Sequence, residues 1–74
     1  MKFSDKIKAY GELRTWVYAV LNRYVEDKQI RPDEDFDDFS LMDEKVLLFF
    51  NDSGLYTSVK LEKLDKYVET NNIK

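Results

Sequence analysis

The residues best equipped for chemistry stand together. Positions 33 to 44 read Asp33, Glu34, Asp35, Phe36, Asp37, Asp38, Phe39, Ser40, Leu41, Met42, Asp43 and Glu44: seven carboxylates, no base, and two phenylalanines among them. Such a strip offers charge for attraction to a basic surface and rings to seat in it. Charge sets encounter rate and register, and a desolvated aromatic sets residence. A row of carboxylates also imitates a nucleic-acid backbone, which carries a negative charge at every nucleotide. The charge is local. Residues 1–32 hold seven basic and four acidic side chains (+3), residues 33–44 hold −7, and residues 45–74 hold five basic and four acidic (+1), for a net charge of −3.

The same carboxylates have a second reading. Counting Asp33 as the first position of a calcium loop, Asp35 is third, Asp37 fifth and Glu44 twelfth. In that spacing alone the segment resembles an EF-hand loop, and the resemblance implies a Ca²⁺ site. Asp38 stands where that loop needs a glycine, and Ser40 where it needs an apolar side chain. Calcium binding is therefore an alternative, and the main reading has no metal and no cofactor.

Catalysis has little to draw on. The chain contains no cysteine and no histidine, so it has no thiolate nucleophile, no imidazole base, no disulfide and no conventional zinc site. Its only glycines are Gly11 and Gly54, too few for a phosphate-cradling loop. Paired carboxylates act as acid and base only where a pocket raises one pKa, which an exposed acidic loop does not provide. Ser4, Ser40, Ser53 and Ser58 fall at cap, loop, turn and strand positions with nothing to activate them. A non-enzymatic protein is expected.

The elements that must carry this strip follow from periodicity. Phe3, Ile7, Tyr10, Leu13, Val17, Leu21 and Tyr24 recur at steps of three and four, which predicts one amphipathic helix over 4–28 capped by Ser4. Such a helix runs about 37 Å, against a compact diameter of roughly 29 Å for 74 residues. It must overhang or bend, and Gly11 is its weak point. Residues 33–44 read as an acidic loop. Residues 45–61 read as a β-hairpin: an apolar run from Val46 to Phe50, a turn at 51–54, and a return strand with Leu55, Thr57, Val59 and Leu61 on one face. A helix from Leu41 to Asp52 is the rival. Residues 62–71 read as a short helix with Leu61, Leu64, Tyr67 and Val68 inward, and Lys60, Lys63 and Lys66 on a solvated face.

The fold expected is a single small α+β domain over 1–74: a long N-terminal helix, an acidic loop, a two-stranded antiparallel hairpin and a short C-terminal helix. The 11 aromatic residues are expected to anchor its core. On the first helix Trp16 and Tyr18 flank the apolar stripe, and Trp16 joins Asp33, Glu34, Asp35, Phe36, Asp37, Asp38 and Phe39 as a candidate partner contact. The bases of this helix scatter around its wheel, so no direct nucleic-acid binding is expected.

The function these features point to is a small acidic regulatory module that presents residues 33–44 to a basic surface on a partner protein. It would serve as an inhibitor or nucleic-acid mimic, like the small acidic proteins of phages and mobile elements in size and charge. The structural alternative is a subunit that homodimerises through the first helix. With no apolar run of the roughly 20 residues a membrane span needs, and no apolar signal core near the N-terminus, a cytoplasmic, membrane-free location is expected.

Overall fold

The computed structural model describes residues 2–9, 13–51 and 56–73. Its elements are α1 (Phe3–Lys8), α2 (Arg14–Asp27), β1 (Phe36–Met42), β2 (Lys45–Phe50), β3 (Tyr56–Lys60) and α3 (Leu61–Thr70). The strands form one antiparallel sheet in the order β1-β2-β3. The α+β class is as expected, but two details are corrected. The N-terminal helix is two helices, and the hairpin is the larger part of a three-stranded meander.

The break resolves the length conflict. Helix α2 is 14 residues long, about 21 Å, and fits within extents of 33 × 23 × 20 Å. The chain leaves helical geometry at Ala9, with ψ 77°; the weak point expected at Gly11 lies outside the described residues. Ser4 is not the cap: Lys2 holds that position, and Ser4 lies inside α1. At their far ends α2 and α3 finish alike. Gln29 (φ 52°) and Asn72 (φ 55°) turn left-handed. The next amides, of Ile30 and Ile73, then reach back to the carbonyls of Val25 and Val68, each at 3.0 Å, closing the last turn in a Schellman motif. Ile30 and Ile73 both pack against the core.

All three helices cover one face of the sheet. Val46, Leu48 and Phe50 of β2 point into it, joining Phe3, Ile7, Val17, Leu21, Val59 and Leu64 in one buried cluster. Every apolar position expected to face inward on α3, Leu61, Leu64, Tyr67 and Val68, is buried. The Val46–Phe50 run is a strand, not part of a helix, because β1 and β3 pair with it on both sides. Its other face carries Lys45, Leu47 and Phe49, and no described element packs there.

Candidate interaction surface

The acidic segment is not a loop. Strand β1 occupies its centre, a turn holds Asp33 and Glu34, and a two-residue connection, Asp43 and Glu44, joins β1 to β2. Two aspartates are poor strand formers, so β1 needs support, and α2 supplies it. The Tyr18 ring lies against Phe36 with centroids 4.9 Å apart. Its hydroxyl donates to the carbonyls of Phe36, at 3.0 Å, and Asp37, at 2.8 Å. Four residues earlier, on the same helix face, the Arg14 guanidinium donates to the Asp38 carboxylate at 2.7 Å and sits 4.9 Å from the Phe39 ring centre. Just after β2, the Asn51 amide N–H donates to the Asp35 carbonyl at 3.2 Å. With its NH₂ turned toward the strand, the Asn51 side chain also donates to both Asp37 oxygens, at 3.1 and 3.2 Å.

A bulge decides which way the segment faces. The pairing steps from Phe36↔Phe50 to Asp38↔Phe49, so Asp37 is an extra residue opposite nothing on β2. Phe36 and Phe39, three positions apart, therefore both point inward, while Asp37 and Asp38 both stay exposed. This corrects one expectation. The two rings meant to seat in a partner are each 7% exposed and belong to the core. Asp33, Asp35, Asp37 and Asp38 remain at the surface. Glu34 is half-buried, held by Arg31 at 3.4 Å. Trp16 is half-buried at the core margin, 5.8 Å from Phe3, with the Lys6 ammonium 4.1 Å above its ring.

The structure also separates the carboxylates that a calcium loop would gather. With β1 extended between them, Asp37 and Glu44 stand roughly 17–20 Å apart at about 3.3 Å per residue. Among the described residues no group of three or more carboxylates is placed to hold a metal ion. No charged side chain is buried among them either.

Sequence reasoning missed the open face of the sheet. Met42 is 51% and Tyr56 57% exposed; Leu47 and Phe49 are half-buried on the same face, and Phe49 meets Tyr56 across strands at 6.0 Å. Asp38 is the cross-strand neighbour of Phe49 on β1. The signal was present in the Val46–Phe50 run, which is apolar on both faces, the pattern of a strand covered twice. No family model, no curated protein and no solved structure matches this chain. No described helix is long and apolar enough to cross a membrane.

Proposed function

We propose that the chain is a non-enzymatic binding module whose acidic β1 edge docks on a basic surface of a partner protein, as an inhibitor or nucleic-acid mimic. The observation that carries this reading is the exposure of Asp37 and Asp38 on an outer strand fixed to α2 by Tyr18 and Arg14, with Asp33 and Asp35 exposed on the segment leading into it. Fixing the strand in advance removes ordering cost at binding. With Phe36 and Phe39 in the core, apolar contact falls to Phe49 and Tyr56, which continue the row begun by Asp38. The homodimer and calcium readings draw less support, since Trp16 is engaged by Phe3 and Lys6 and the carboxylates are spread along a strand.

The test compares the wild-type chain with the Asp35→Asn/Asp37→Asn/Asp38→Asn variant. Partner proteins are captured on the immobilised wild-type chain, and their affinity for both forms is then measured against salt. At least a tenfold loss, with a flatter salt dependence in a folded variant, is the expected result. Unchanged affinity refutes the reading.

A further inference from the structure

Five lysines that the sequence scatters over four places gather around the side of the molecule where the end of α2 meets β3 and α3. Lys28 follows α2, Lys45 lies on β2, Lys60 ends β3, and Lys63 and Lys66 lie on α3. They line two neighbouring grooves of about 460 and 430 Å³, which share Tyr24 and Lys63. Neither groove is lined by a carboxylate, although Lys45 and Lys60 also border a separate groove with Asp43, Glu44, Glu62 and Asp65.

Two observations set these lysines apart from ordinary surface charge. Lys45 and Lys60 are directly opposite across the β2–β3 ladder, an arrangement of like charges that costs stability. All three arginines, Arg14, Arg23 and Arg31, pair with a carboxylate within the chain. Among the described residues none of the five lysines does. Asp27, which adjoins the groove floor through its bond from the Tyr67 hydroxyl, also lies 4.0 Å from Arg23.

We propose that this lysine-lined edge binds the phosphate backbone of a nucleic acid, a second site independent of the acidic β1 edge. Phosphate is favoured over an acidic protein for two reasons. The tyrosines of the floor are only 8% and 7% exposed, so the grooves offer no aromatic anchor or pocket of the kind that holds a protein partner. Ser58, Thr70 and Asn71 line the grooves beside the lysines, completing the side-chain set that contacts phosphates without reading sequence. A chain that grips a basic protein by one edge and a nucleic acid by the other would engage a nucleic-acid-bound protein from both sides.

The experiment titrates a short fluorescein-labelled DNA duplex with the full chain at several salt concentrations and follows anisotropy. Each phosphate contact contributes about 0.9 to the slope of log affinity against log salt. The Lys45→Gln/Lys60→Gln/Lys63→Gln variant, checked for folding by circular dichroism, is expected to lower that slope by about 2.7. Lys28→Gln/Lys66→Gln, which leaves the sheet untouched, lowers it by about 1.8, so the result does not depend on one variant folding. No binding at low salt, or a slope that both folded variants leave unchanged, overturns the proposal. So does polyglutamate competing as well as unlabelled duplex at equal charge, which would mark the edge as a site for acidic proteins.

Discussion

Ser4 and Asp65, 61 positions apart, are joined twice: the Ser4 amide and its hydroxyl both donate to the Asp65 carboxylate, at 2.7 and 3.0 Å. Helix α1 has six residues and no side-chain cap of its own, too short to persist alone. Asp65, on α3, places an anion at its first turn, where free amides and the helix dipole favour one.

Removing that anion loosens α1. Asp65→Ala is expected to lower unfolding free energy by about 1–2 kcal/mol, in the range of lost caps and charged hydrogen bonds. Ser4→Ala costs less, because the backbone amide remains bound. Urea melts of both single variants and the double variant check this. Coupling of about 0.5 kcal/mol or more is expected for residues in direct contact, and additive effects would contradict the link.

The hold of α2 on β1 is testable without touching a charge. Tyr18→Phe keeps the ring against Phe36 and loses both carbonyl bonds, at a cost of about 1 kcal/mol. Amide exchange across Phe36–Met42 should quicken more than exchange in β3, and uniform change across the sheet would argue against a local clamp.

Alkaline stability should report on Tyr67. Burial first, then its hydrogen bond to Asp27, push this phenol from 10.0 up to about 12. The folded state therefore holds the proton more tightly than the unfolded chain. That contribution is complete below pH 10 and is lost as pH rises toward 12. Tyr67→Phe cannot ionise, so its stability should fall less steeply across this window, while lysine titration is common to both proteins. Parallel declines in melts taken between pH 9.5 and 12 would contradict the assignment.

The register of β2 predicts a contrast between adjacent leucines. Leu48 is fully buried and Leu47 lies on the open face. Leu48→Ala is expected to cost about 2–5 kcal/mol, a large part of the whole for a domain this small. Leu47→Ala should cost under about 1 kcal/mol. Equal costs in chemical denaturation would place a second layer over the open face.

A gain is available at Gln29. Its left-handed φ of 52° suits glycine better than any residue with a Cβ. Gln29→Gly should raise stability by about 0.5–1 kcal/mol, read as a higher denaturation midpoint; a lower midpoint would mean that the Gln29 side chain makes contacts worth more than the strain.

What the sequence made legible follows from how each pattern arises. Helix α3 and strand β3 show clean periods of 3.6 and 2, and β2 is a short β-prone apolar run before a turn signature, so all three were readable. The first helix misled because Ile7 and Val17 face the same core from two helices, so the apolar spacing runs on across the break. Strand β1 hid for a different reason. The bulge at Asp37 sets Phe36 and Phe39 three apart, which destroys strand alternation and makes the aspartates look like loop. The acidic surface was legible as composition, but the strand that orients it was not. The lysine edge was invisible because α2, β2, β3 and α3 each contribute a part.

With aspartates on the β1 side and lysines gathered where the end of α2 meets β3 and α3, the molecule carries its two signs of charge in separate places. Its behaviour in a field gradient is then governed by orientation as much as by net charge. A net anion of this kind is expected to turn its lysine side toward a negatively charged matrix and its aspartate side toward a positive one, and so to bind both kinds of ion exchanger at low salt.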